Sequence, residues 1–390
     1  MGLRLAFLFV AFFVAACTTV TDPPRASYSS LKAETRQERG DILVRTVAAQ
    51  RRLLEIGAPL LTANASLCPR RRSVPGFEVV SDFDMPRALQ DVAMARVHLN
   101  RDARVLAVFA GGPADRVGVR TGDVLAAIDG RPVRNAAEVR ARLRRKHDAR
   151  TMGFGFLRDG VAYDARISFI PTCAYRLVYV AGAREINAYT DGERIFVTQG
   201  MMDFANDREL AAVIGHELAH IVMQHIPKQT LNRAGIEIIG GAVTGLLGVL
   251  DWNGTVAAML DAYTQAYSES FEIEADYVGA YLLARAGGDT GAIAPFWRRM
   301  AAENGLDSVS LPVGELRTHP DTPKRFVVMT RTDAEIRDKM RHGVPLMPEL
   351  MHGFAYGKPF WPWESCPDCQ IGAWRVLIPP RSHLINRAIF

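Results

Sequence analysis

His216-Glu217-Leu218-Ala219-His220 is an H-E-x-x-H stretch set inside an apolar run, in a chain with 9 histidines among 390 residues. Four helical steps turn about 400°, so the two imidazoles stand roughly 40° apart on one face, one turn from each other. That spacing lets two ring nitrogens close on one Zn²⁺, with Glu217 beside the metal to take a proton from water. The bland alternative is a buried helix with two satisfied histidines. The flanks favour a helix on their own account. Asn206-Asp207-Arg208-Glu209 has the form of a capping box, and Leu210, Val213, Ile214, Leu218, Ile221 and Val222 repeat at helical spacing. His225 comes nine residues after His216, about 900° further round and so on the opposite face of a continued helix. It is not expected to share the metal, and the third ligand has to come from elsewhere.

The best candidate is Ser268-Glu269-Ser270-Phe271-Glu272-Ile273-Glu274-Ala275-Asp276. Glu272 and Asp276 are one turn apart on one face, and Glu274 points about 200° away from Glu272. A ligating carboxylate with a second acid one turn along lets that second acid hold a ligating imidazole from behind. On its own, an acidic helix face is usually just solvated.

Asn187-Ala188-Tyr189, Gly192, Ile195-Phe196-Val197, Gly200, the H-E-x-x-H helix, S-x-x-x-E-x-x-A-D and Thr318-His319-Pro320 occur in this order. Together they resemble the zinc-dependent, gluzincin-type peptidases, the family of HtpX, the mitochondrial Oma peptidase, the CAAX prenyl endopeptidases and the BepA-like periplasmic enzymes. The resemblance runs from Cys173 to Thr330, with a helix before Cys68. It implies one Zn²⁺ per chain on His216, His220 and Glu272, with Glu217 as general base and Asp276 behind a ligand. It also implies that His319, with Arg325 six residues later, stabilises the oxyanion or gates the metal. Ile195 to Gln199 is expected as the edge strand that aligns substrate backbone. Glu269 departs from the pattern, standing where the family usually has Arg.

Met1-Gly2-Leu3-Arg4 precedes an apolar run from Leu5 to Ala16 and then Cys17. The run is too short to span a bilayer and reads as a signal peptide over residues 1–16. Val14-Ala15-Ala16-Cys17 resembles a bacterial lipobox, which implies lipidation at Cys17. Thr18 in place of Asp implies sorting to the outer membrane, facing the periplasm. Residues 17–30, rich in Thr, Ser and Pro, read as a tether. A net charge of +5 with scattered Lys and Arg, and no interleaved aromatics, argues against a nucleic-acid partner. The 48% hydrophobic content excludes wholesale disorder. Ile238 to Leu250, uncharged and Gly-rich, is too short for a spanning helix and is expected to cover the active site or rest on a membrane surface.

Residues 74–170 read as a different module. Val105 to Phe109 and Val124 to Ile128 are expected strands, Val133 to Leu143 a helix, and Phe154 to Leu157 with Val161 to Ile167 a hairpin around Asp159-Gly160. Over Val105 to Gly130 the pattern G-P-A-x-x-x-G-x-x-x-G-D is similar to bacterial PDZ domains. That likeness implies capture of peptide C-termini or extended segments by strand addition. Setting Cys17 aside, Cys68, Cys173, Cys366 and Cys369 allow three pairings. Cys68 and Cys173 bracket the inserted module, so a bridge there would staple its neck, and Cys366-x-x-Cys369 is expected as a local disulfide.

The expected fold class is α+β: a mainly helical zincin-like peptidase domain with a small edge sheet, interrupted by a β-barrel-like PDZ domain. Residues 31–73 supply its N-terminal helix, 171–330 its remainder and 331–390 a C-terminal extension with a helix near Asp333 to Arg341. The expected function is envelope protein hydrolysis. The alternative is a PDZ scaffold or chaperone-like lipoprotein with a latent peptidase domain.

Overall fold

Apolar residues at two periodicities divide this chain, and the computed structural model shows what each builds. It describes residues 24–145, 150–226, 269–308 and 323–349. Helix α1 (Tyr28–Ala63) runs through both regions; it opens on Ser27, whose side chain accepts from the Ser30 N–H. Its first turn thus falls inside the stretch expected as a tether. In its first half Leu43 packs with Val92 and Ala93 of α2 (Arg87–Val97), and Arg39 pairs with Asp91 at 2.9 Å. Further along, Leu53, Leu60 and Leu61 enter the larger core.

The inserted module is a six-stranded sheet of β2 (Phe77–Val80), β3 (Ala103–Val108), β4 (Val124–Ile128), β5 (Arg131–Pro132), β6 (Thr151–Arg158) and β7 (Val161–Ser168). Its order is β2-β3-β4-β6-β7, with β5 on β4. The sheet is open, which corrects the barrel-like expectation. Alternation along β3 and β6 turns Val105, Met152, Phe154 and Phe156 inward. The short α3 (Pro113–Arg116) and α4 (Ala136–Arg145) complete the module.

Its two ends return to one place. Strand β1 (Arg71–Val74) pairs antiparallel with β8 (Ile170–Cys173) in a separate ribbon. Cys68 and Cys173 are bridged there, with Cα atoms 5.5 Å apart. The neck is therefore stapled as expected.

The peptidase region sets β9 (Arg176–Val180), β10 (Ala188–Thr190) and β11 (Arg194–Thr198) beside the short α5 (Gln199–Phe204) and the helices α6 (Asp207–Val222), α7 (Glu269–Arg285), α8 (Ile293–Ser308) and α9 (Pro323–Arg341). Helix α9 starts ten residues before the expected Asp333. The strand order is β10-β11-β9, β11 lying parallel to β9. The segment expected as the edge strand is thus the central one, with ladder partners on both sides. Gln50 of α1 caps β9 from outside: its amide donates to the Leu177 carbonyl and accepts from the Tyr179 N–H. That leaves β10 as the other edge of this sheet, packed toward α6.

Candidate metal centre

The helix carrying the H-E-x-x-H stretch begins as its sequence requires. Asn206 accepts from the N–H groups of Arg208 and Glu209, and the Glu209 side chain accepts from the Asn206 N–H. From Ala212 to Val222 every residue is buried. Three of them are polar, His216, Glu217 and His220, and burying such groups without partners costs several kcal/mol.

The partners arrive on α7. Gly215 and Gly279 meet where α6 and α7 cross. A Cβ on Gly279 would lie 3.0 Å from the backbone of His216, and one on Gly215 would lie 3.1 Å from the Gly279 carbonyl oxygen. Only glycine lets the two backbones approach so closely. That approach sets Glu272 and Asp276, one turn apart, against the two histidines.

The resulting separations are close to those of a metal site. His216 Nε2 and His220 Nε2 are 3.0 Å apart. Glu272 spans the pair, Oε2 lying 3.4 Å from His216 Nε2 and Oε1 3.4 Å from His220 Nε2. Ligands held tetrahedrally at about 2.0–2.2 Å from one Zn²⁺ stand roughly 3.3–3.5 Å from each other. His216, His220 and Glu272 are the group among the described residues that meets the requirement for holding a metal ion. All three are buried.

Behind the ligands stand charged supports. Asp276 Oδ1 lies 3.0 Å from His216 Nδ1, the nitrogen facing away from Glu272. Arg325 of α9 donates to Asp276 through Nε at 2.7 Å and Nη2 at 2.9 Å, and its Nη1 lies 3.1 Å from Glu272 Oε2. The same guanidinium sits 5.5 Å over the Trp297 ring, which also meets the His216 ring at a steep angle, centroids 5.3 Å apart. Burial by itself would depress the His216 imidazole. The carboxylates of Asp276 and Glu272 outweigh it and pull that imidazole up to about 10.

Each residue expected from the sequence can now be placed. His216, His220, Glu272, Asp276 and Arg325 come together, and Glu217, also buried, lies between the two histidines on α6. Arg325, expected with His319 to stabilise the oxyanion or gate the metal, is 1% exposed and is bonded to Asp276 and Glu272. His319, Cys17, Cys366, Cys369 and the segment Ile238 to Leu250 lie outside the described residues. Glu269, the departure from the family pattern, lies 3.9 Å from Lys324.

One reading needs correcting. Helix α6 ends at Val222 with Met223 as its cap, and Gln224 takes a left-handed conformation with φ +55°. The helical phase therefore stops before His225, which turns back to lie 2.9 Å from His220, Nδ1 to Nδ1. No sequence signal marks this turn, because Gln is not a residue that favours positive φ.

Comparison with known proteins agrees with this geometry. Residues 157–333 match Peptidase family M48, and residues 104–152 match a PDZ domain. The mitochondrial metalloendopeptidase OMA1 of Schizosaccharomyces pombe is 28% identical over 181 residues, 41% of this chain and 52% of that protein. A putative beta-barrel assembly-enhancing protease of Vibrio cholerae is 29% identical over 184 residues, 44% of this chain and 36% of that protein. Metalloprotease LoiP of Escherichia coli is 28% identical over 125 residues, 30% of this chain and 49% of that protein. The chain thus spans about half or less of the length of these relatives. With the ligand triad, its glycine-lined helix crossing and these matches in hand, the chain is one that carries a peptidase family M48 domain joined to a PDZ domain.

Proposed function

We propose that this chain is a zinc metalloendopeptidase of the bacterial cell envelope, hydrolysing peptide bonds in envelope proteins that its PDZ domain captures. The observation that carries the reading is the buried triad of His216, His220 and Glu272, with separations of 3.0, 3.4 and 3.4 Å. Zn²⁺ held there would act as a Lewis acid on the scissile carbonyl and make water a better nucleophile. Glu217 takes the proton from the attacking water at its carboxylate and passes it to the leaving amine. Asp276 fixes the His216 ring, and Arg325 holds Glu272 and Asp276 in place. His319 remains part of the proposal as an oxyanion or gating group.

Substrate capture is assigned to the open edge strand β2, beside α4. Arg140 of α4 donates to the Val79 carbonyl at 3.1 Å and pairs with Asp84, so a peptide adding to β2 meets that guanidinium. The envelope setting is supported by the bacterial relatives, and lipid anchoring at Cys17 in the outer membrane by Val14-Ala15-Ala16-Cys17. No described helix is long and apolar enough to cross a membrane.

Glu217→Gln tests the reading directly. The variant should fold, retain one zinc by metal analysis, and lose about 10²–10⁴-fold in hydrolysis of an unfolded protein substrate. His216→Ala and Glu272→Ala should lose the zinc itself. Near wild-type turnover by Glu217→Gln would refute the mechanism. A zinc-loaded wild type without hydrolysis would favour the latent-scaffold alternative.

A further inference from the structure

Each metal-facing imidazole has its own support, and the two supports differ. His216 is backed directly by Asp276 at 3.0 Å. Behind His220 stands a second imidazole: His225 Nδ1 lies 2.9 Å from His220 Nδ1, and His225 Nε2 lies 2.7 Å from Glu274 Oε2. The His225 ring is fully buried and stacks on Phe271, centroids 4.6 Å apart and planes within 7°. We propose that His225 and Glu274 are positioning residues that form a two-step relay, His220–His225–Glu274, holding His220 as a metal ligand.

The direction of every proton in the relay follows from its two ends. His220 turns Nε2 toward His216 and Glu272, so that nitrogen must carry the lone pair and the proton must sit on Nδ1. That N–H donates to His225 Nδ1, which must then be the acceptor. The His225 proton accordingly sits on Nε2 and is donated to Glu274, a carboxylate that only accepts. Any reversal sets two N–H groups against each other or removes the lone pair from the metal side. The carboxylate thereby makes His225 a better acceptor and His220 a more basic ligand, the effect that carboxylates behind ligating histidines have elsewhere.

Helix α7 serves both histidines. Glu272 and Asp276 face His216, while Phe271 and Glu274 hold His225. Glu274 looked like a bystander because it points away from Glu272. It is nonetheless reached by a side chain that the left-handed Gln224 swings out of the line of α6.

This inference rests on reading the site as a zinc site, and the test separates the two. The measurement is zinc affinity of the full chain by chelator competition, with the visible absorption of the Co²⁺-loaded protein as a second readout. His225→Phe keeps a ring on Phe271 but neither accepts nor donates, and should weaken zinc binding by about 10–100-fold. His225→Gln, whose amide can accept from His220 and donate to Glu274, should recover most of the loss. Glu274→Gln alters a partly exposed side chain, so folding is not at risk, and should weaken binding severalfold. Combined with His225→Phe it should add nothing further. Both variants should shift the Co²⁺ spectrum. Wild-type affinity and spectrum in Glu274→Gln, or additive losses in the double variant, overturn the relay. Failure of the wild-type chain to take up zinc would instead overturn the site reading.

Discussion

Both regions of this molecule bury an aspartate against an arginine, and they do so to opposite ends. In the PDZ region Asp123 is bonded by Arg158 through Nε at 2.7 Å and Nη2 at 2.8 Å, and by the Tyr163 hydroxyl at 2.6 Å. The backbone N–H of Arg120 adds a fourth donor at 2.7 Å. One acid meets one guanidinium, and the charge balances. In the peptidase region Arg325 grips Asp276 and Glu272, while Glu217 is buried on the facing helix. Among the described residues, three buried acids, Asp276, Glu272 and Glu217, gather at this centre, and the Arg325 guanidinium contacts the first two. The balanced network is complete as it stands and serves stability. The other gathers carboxylates around two imidazoles, His216 and His220, in a group that could hold a metal ion.

The largest effect separating the two should come from Arg325→Met. Removing the guanidinium leaves Asp276 and Glu272 buried with less opposing charge, which should cost about 3–5 kcal/mol in the metal-free chain. Saturating zinc should restore part of that loss. Denaturant melts with and without zinc measure both quantities, and a loss under about 1 kcal/mol would show that the cluster is not held as described.

Next in size is the link between the regions. Replacing Cys68 and Cys173 by serine should cost roughly 2–5 kcal/mol. Helix α1 joins the peptidase core through Leu53, Leu60 and Leu61 and packs Leu43 against Val80 of β2 and Val92 of α2, so calorimetry should still show one cooperative transition at a lower temperature. Two separated transitions would mean that the disulfide alone couples them.

The smallest effect concerns acid. Burial raises the Asp123 carboxyl, but the bonds from Arg158, Tyr163 and the Arg120 N–H outweigh it and hold the group below its usual range. A depressed folded value means that the stabilisation is fully present above about pH 5 and is lost as the pH falls through the folded value, below roughly pH 4. Asp123→Asn should cost about 1–3 kcal/mol at neutral pH. It should also flatten the decline of stability between roughly pH 5 and pH 2. Parallel acid profiles for the two proteins would remove Asp123 from this role.

What was legible in the sequence is what helix and strand periodicity carry locally. The pair His216 and His220 shares a face because four residues make slightly more than one turn, and the same rule pairs Glu272 with Asp276. The capping box at Asn206 and the alternation along β3 and β6 are equally local. Cys68 and Cys173 could be expected to meet because a compact inserted module brings its ends together, and they do.

Periodicity stops informing where the chain leaves a regular element, and long-range packing takes over. The central place of β11 was hidden because a short apolar strand reads alike at an edge and in the middle; the parallel partner β9 decides it. The inward turn of His225 depends on one left-handed residue, Gln224, held there by the tertiary structure. Arg325 was found by sequence, but its pairing with Asp276 and Glu272 was not, because a guanidinium binds whichever carboxylates the fold brings within reach. By itself the sequence determined which side chains could hold a metal. Only the tertiary structure, through the close approach of Gly215 and Gly279, decided that two helices distant in sequence would present them to one point.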